Sequence, residues 1–169
     1  MTKETNSYRI LVIEDNPGDY FLLEQNLQLS KLRVEKTFHA ENMATATALV
    51  KDNSFDIAML DLTLPDSTGV DSVITLNRLL PKTPIIVLSG LSTIEIATKS
   101  ISLGAQDYLM KGEFDEKLLA NSVLYSIERK KQPKNSGKVM KDTRWLTGLE
   151  NLRKLTPYGH FKLVLRHFW

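Results

Sequence analysis

A chain of 169 residues, 42% apolar and 25% charged, has the make-up of an ordinary soluble globular protein, long enough for one domain plus an appendage. It contains no cysteine, which excludes disulfides, thiolate metal sites and cysteine nucleophiles. The net charge of +2 conceals a division: residues 1–128 carry 11 Lys+Arg against 18 Asp+Glu, a net −7, whereas residues 129–169 carry 11 against 2, a net +9. The polar opening, residues 1–7, has no apolar stretch of the secretory type, and no segment reaches the ~18 apolar residues of a membrane helix, so a cytoplasmic protein is expected.

Residues 8–13 form a short apolar run that ends at Glu14 and Asp15. Asn16 and Pro17 follow as an N-cap with proline in the first helical position. The helix they open is expected to reach about residue 30 and to bury Phe21, Leu22 and Leu27. Residues 32–38 alternate apolar and charged side chains, as an outer strand does. A second helix is predicted over 41–51. The run Ile57, Ala58, Met59 and Leu60 then stops at Asp61, and Pro65, Asp66, Ser67 and Gly69 mark a loop. An unbroken apolar run suits a strand covered on both faces. A third helix over 69–80, an aliphatic strand over 84–88 ending at Ser89 and a fourth helix over 93–103 capped by Gly104 come next. A brief strand over 107–110 leads into Lys111 and Gly112, and a fifth helix covers 114–129. Strands alternating with helices predict an α/β fold, a five-stranded parallel sheet doubly wound by helices on both faces.

If the first, third, fourth and fifth strands run parallel, Glu14, Asp15, Asp61, Ser89 and Lys111 meet at one sheet edge. Crowded carboxylates repel one another, and a bound cation relieves them. Oxygen ligands without His or Cys suit a hard ion such as Mg²⁺. An ammonium and a hydroxyl beside that ion supply donors for an anion, the equipment of phosphoryl transfer, with Asp61 as nucleophile forming an aspartyl phosphate. Each residue also has a plainer reading. Asp61 can cap a turn, Glu14 and Asp15 can favour a helix N-terminus, and Ser89-Gly90 and Lys111-Gly112 are ordinary turn chemistry. His39, His160 and His167 have no partners at metal-ligand spacing.

With Glu14-Asp15, Leu60-Asp61-Leu62-Thr63-Leu64-Pro65-Asp66, Ser89-Gly90 and Tyr108-Leu109-Met110-Lys111 in order, the chain resembles the receiver domain of two-component response regulators, CheY-like and flavodoxin-like in fold, over residues 7–130. The resemblance implies that Glu14 and Asp15 hold Mg²⁺ with Asp61 and the backbone carbonyl of Thr63. It implies that Asp61 is the phosphoacceptor fed by a histidine kinase or phosphotransfer protein. Lys111 is implied as the essential cation, Ser89 as the switching hydroxyl and Tyr108 as the aromatic that follows it. A downstream protein would read the face made by the fourth helix, fifth strand and fifth helix, and a homodimer is compatible with this. Such a domain is not an enzyme beyond its own phosphorylation and dephosphorylation. Gly112 departs from the family, which commonly has a cis proline after the lysine; glycine supplies unusual backbone angles at little steric cost. Thr63 and Leu91 flank the expected phosphoryl position.

Residues 131–142 read as a linker and residues 143–169 as a short basic tail with no recognised output domain. Leu146, Leu149, Leu152 and Leu155 fit one short helix and residues 161–169 a second. Residues 146–151 faintly resemble the opening of diguanylate cyclase domains, but too little chain follows for that domain. Two other functions compete with this reading. A small phosphohydrolase of the haloacid-dehalogenase type would need a second acid at position 63, where Thr63 stands. A regulator binding nucleic acid through the basic tail lacks any recognisable reading module, so no nucleic-acid partner is expected.

Overall fold

The computed structural model describes residues 7–90 and 93–131. The predicted tail helices, the linker beyond Lys131 and Leu91 lie outside the described residues. Five strands, β1 (Tyr8–Ile13), β2 (Val34–Ala40), β3 (Ile57–Asp61), β4 (Ile85–Ser89) and β5 (Asp107–Met110), alternate with α1 (Pro17–Leu29), α2 (Met43–Asp52), α3 (Asp71–Leu79), α4 (Ile94–Ser102) and α5 (Glu116–Lys131). The strands form one sheet in the order β2-β1-β3-β4-β5, every neighbouring pair parallel. This is the doubly wound, flavodoxin-like arrangement that the alternation predicts.

The apolar runs serve two cores at once, because successive strand residues face opposite sides. Leu11, Ile13, Ala58, Leu60 and Val87 pack with Met43, Val73, Leu76 and Ala97 of α2, α3 and α4. Ile10, Val12, Ile57, Met59, Ile86, Leu88 and Leu109 pack with Leu23 and Leu27 of α1 and Leu119, Val123 and Ile127 of α5. Burying each Val, Leu, Ile or Met among them is worth ~1.5–3 kcal/mol. The sheet is thus clamped between helical layers, and its strand ends are rigid supports.

The structure corrects several expectations. In α1 it is Leu23 and Leu27 that are buried, while Phe21 and Leu22 are 58% and 59% exposed. Tyr20, Leu23 and Leu27 form the stripe at i, i+3 and i+7 that meets the sheet, and a helical turn leaves Phe21 and Leu22 on the flank. β2 lies two residues later than expected, because pairing with β1 carries it through His39 and Ala40. α2 starts at Met43 because Asn42 is the cap, its side chain accepting from Thr45 N–H at 2.7 Å. α5 starts at Glu116, after Asp115, whose side chain accepts from Leu118 N–H, and it continues through Lys131, the first residue of the expected linker.

Candidate functional site

The site is assembled from strand ends. β1 finishes at Ile13, and Glu14 N–H still donates to Ala40 O at 2.9 Å, extending the ladder by one bond. The chain then turns at once into α1, with Asn16 Oδ1 accepting from the N–H groups of Gly18 and Asp19. Asn16 N–H in turn donates to Glu14 Oε1 at 3.2 Å. The acidic pair is therefore held in a tight strand-to-helix turn, Glu14 buried and Asp15 exposed. Asp61 is the last residue of β3, which lies between β1 and β4, and it is 3% exposed. Ser89 ends β4 and is fully buried, and Lys111 N–H donates to Ser89 O at 3.0 Å.

Carboxylate oxygens of Glu14, Asp15 and Asp61 lie within 4.8 Å of one another. Lys111 Nζ stands 2.7 Å from Glu14 Oε2, 2.9 Å from Asp19 Oδ2 and 3.2 Å from Asp61 Oδ2. Three carboxylates thus face one ammonium, with Asp15 a fourth acid in the same cluster. Burial pushes the Glu14 carboxyl above its ordinary value despite the opposing pull of Lys111. For Lys111, burial works against the charged form. The hydrogen bonds to Glu14 and Asp19 and the charge of Asp61 outweigh it and hold the ammonium well above its usual range. Lys111 is a fixed cation at any physiological pH.

The loop after Asp61 is fixed as firmly. Thr63 and Thr68 form an antiparallel bridge, Gly69 N–H donates to Leu62 O at 2.7 Å, and Leu62 and Leu64 are buried. Asp66 accepts from the N–H groups of Met43 and Ala44, both at 2.9 Å, so its carboxylate caps α2 and is held below its ordinary value by those bonds. On the other side, Gly112 adopts φ +78°, and a Cβ there would meet no atom within 4 Å. The turn is made by glycine's left-handed freedom, and no cis peptide bond occurs among the described residues.

Tyr108 is buried, with burial raising its hydroxyl pKa while a hydrogen bond with the Ser89 side chain opposes this and the Asp61 charge adds to it. The neighbouring Asp107 accepts from Ser122 Oγ of α5 at 2.6 Å. Beside the acids lies a small groove of about 160 Å³ lined by Glu14, Asp19, Leu22, Lys111, Gly112 and Phe114 among others. A larger cleft of about 880 Å³, lined by Pro81, Pro84, Gln106 and Arg129 among others, opens at the opposite ends of the strands and includes none of these residues.

All of the residues expected at one edge are there, with Lys111 touching Glu14 and Asp61. Asp19 was not foreseen. Its signal was available, since the Asn16 cap fixes the first turn of α1 beside Glu14-Asp15, where an acid in that turn can face the strand ends. The donor set is all oxygen, its acids outnumber its cation, and one of them is buried and destabilised as an anion; these residues fit a hard divalent cation.

The profile of the response regulator receiver domain matches residues 10–123. The chain belongs to the receiver domain family of two-component response regulators. It is 34% identical over 122 residues to the cell cycle response regulator CtrA of Brucella ovis, an overlap covering 72% of this chain and 50% of that protein. The chain thus matches about half the length of the curated relatives. Among solved structures, a Burkholderia pseudomallei response regulator with a phosphorylated aspartic acid, calcium ion and citrate is 27% identical, with a TM-score of 0.58 and 73% of each chain covered. A CheY-like receiver from Methanospirillum hungatei JF-1 superposes with a TM-score of 0.63 at 21% identity, covering 74% of this chain and 97% of that one, a likeness of fold. Receiver domains are signalling domains that partner with histidine kinases or phosphotransfer proteins. No described helix is long and apolar enough to cross a membrane.

Proposed function

We propose that this receiver domain accepts a phosphoryl group on Asp61 from the phosphohistidine of a kinase or phosphotransfer protein. The observation that supports this most directly is the packing of Glu14, Asp15 and Asp61 within 4.8 Å, with Lys111 Nζ 3.2 Å from Asp61. Glu14, Asp15 and Asp61 would hold Mg²⁺ with the Thr63 carbonyl, and the ion would neutralise charge on the transferring group. An Asp61 oxygen forms the new bond to phosphorus as the P–N bond breaks, and the imidazole of the donor takes up a proton as it leaves. Lys111 places a fixed positive charge beside the transferred group, and Ser89 offers it a hydroxyl.

The donor has to reach this edge, where Leu22 of α1 lines the groove walled by Glu14 and Lys111, and both Leu22 and its neighbour Phe21 are exposed. They make a dry footing for a histidine-bearing protein placed over Asp61. The readout face is α4, β5 and α5. Recruitment of Ser89 by the phosphoryl group would disturb its bond with Tyr108, and Tyr108 adjoins Asp107, which is bonded to Ser122 of α5. A downstream protein or a second copy would read that change. Beyond self-phosphorylation and self-dephosphorylation the domain performs no catalysis. We assign residues 7–130 to the receiver and 131–169 to a linker and basic tail.

The test is labelling by a small phosphodonor with Mg²⁺. Wild type should gain the mass of one phosphoryl group and Asp61→Asn none. Labelling that persists in Asp61→Asn overturns the assignment.

A further inference from the structure

The border of the acidic cluster carries a histidine that no motif accounts for. His39 belongs to the edge strand β2, and its Nε2 lies 2.8 Å from the backbone carbonyl oxygen of Glu14. A carbonyl only accepts, so Nε2 carries the proton and donates it. Phe38 and Ala40 point into the core beneath α2, α3 and α4, so His39 points to the opposite side of the sheet, toward α1. There its ring stacks on Tyr20 of α1, centroids 3.7 Å apart and planes 8° from parallel. Tyr20 is itself anchored, its hydroxyl donating to Glu24 Oε1 at 3.2 Å.

The contact falls on one particular peptide group, the one joining Glu14 to Asp15. Glu14 N–H is already taken by Ala40 O, and Glu14 Oε1 by Asn16 N–H. The His39 bond fixes the remaining freedom, rotation of the Glu14–Asp15 peptide plane. That rotation would swing the exposed Asp15 carboxylate relative to Glu14 and Asp61. In a cluster whose acids repel one another, a backbone free to rotate would relieve the repulsion by moving Asp15 outward. A stacked imidazole bonded to the Glu14 carbonyl resists this rotation.

We propose that His39, clamped by Tyr20, is a positioning residue of the cation site: its Nε2–H holds the Glu14–Asp15 peptide so that both carboxylates stay converged on Asp61. The inference rests on the reading of these acids as a Mg²⁺ site. Partners that orient metal ligands are worth roughly 10–100-fold in affinity, and a single backbone bond belongs at the low end of that range.

Mg²⁺ titration calorimetry of the full chain without phosphodonor tests this, alongside urea unfolding in EDTA. His39→Phe keeps a ring against Tyr20 but removes the donor, and should weaken Mg²⁺ binding about tenfold. His39→Gln, which returns an N–H near the Nε2 position, should regain most of that loss. A purely structural role would lower stability in EDTA while leaving Mg²⁺ affinity at the wild-type value. His39→Phe binding Mg²⁺ like wild type, or His39→Gln as weak as His39→Phe, overturns the proposal. ¹⁵N spectra of the wild-type imidazole need no variant: a proton on Nε2 is expected, and a bare Nε2 with the proton on Nδ1 overturns the clamp. Wild type that binds no Mg²⁺ at all refutes instead the metal reading on which the inference stands.

Discussion

Replacing Asp61 with asparagine should make the metal-free protein more stable, and the distances say by how much. Asp61 lies within 4.8 Å of the carboxylate oxygens of both Glu14 and Asp15. At an effective dielectric of about 20, each repulsion is at least ~3.5 kcal/mol. The attraction to Lys111 at 3.2 Å is ~5 kcal/mol on the same scale. The two repulsions exceed the attraction by about 2 kcal/mol, which solvent screening of the exposed Asp15 reduces to about 1. Asparagine has the same shape and still offers an oxygen to Lys111, so packing is unchanged. In EDTA the urea midpoint of Asp61→Asn should rise by roughly 0.5–1 M for an m-value of about 1.5 kcal/mol/M. Mg²⁺ should reverse the order, since ligand at about 100 times its Kd adds ~2.7 kcal/mol to whichever chain binds it. An Asp61→Asn chain less stable than wild type in EDTA would refute the electrostatic reasoning. Equal stabilisation of both chains by Mg²⁺ would remove Asp61 from the ligand set.

Three further outcomes follow from the same geometry. Burial raises the Glu14 carboxyl above 4.5, so the folded chain binds this proton more tightly than the unfolded one. Its contribution is complete below pH about 4.5 and is lost as pH rises through the elevated value; urea melts in EDTA should show that fall, and Glu14→Gln should flatten it. Gly112→Ala meets no atom but forces an L-residue to φ +78°, which should cost ~1–2 kcal/mol by urea unfolding. Gly112→Pro should cost more, because the ring holds φ near −65°. Phe21→Ser should slow phosphotransfer from a histidine-bearing protein donor while labelling by a small phosphodonor keeps its wild-type rate; equal slowing of both would remove α1 from the docking surface.

The strand ends were legible because a parallel sheet converts sequence order into spatial neighbourhood. Asp61, Ser89 and Lys111 each stop an apolar run, and parallel strands bring such stops to one edge. What was not legible depends on pairing and rotation. The end of β2 follows from its partner β1, so the local alternation of residues 32–38 misplaced it. Which flank of α1 faces the sheet is set by the turn leaving Glu14-Asp15, and counting apolar residues did not separate Leu23 from Leu22. Asp19 and His39 escaped for a related reason. Each acts through a single contact on a group far away in sequence, Lys111 Nζ in one case and the Glu14 carbonyl in the other. Neither leaves a periodic trace.

The balance of charge at this edge bears on why the cluster is arranged as it is. A site built for stability alone would pair each buried acid with a cation or replace it by an apolar side chain of similar volume. Here one lysine serves Glu14, Asp19 and Asp61 together, and the excess of negative charge is held in place by backbone bonds to Ala40 and Asn16. Such a deficit favours any event that brings positive charge to the edge, and weakens it again when that charge departs. The rigid elements around it, the capped α1 and α2 and the twice-bonded loop after Asp61, keep the acids from relaxing apart. Stability given up at the strand ends is recovered in the two cores, and the edge stays poised for a cation.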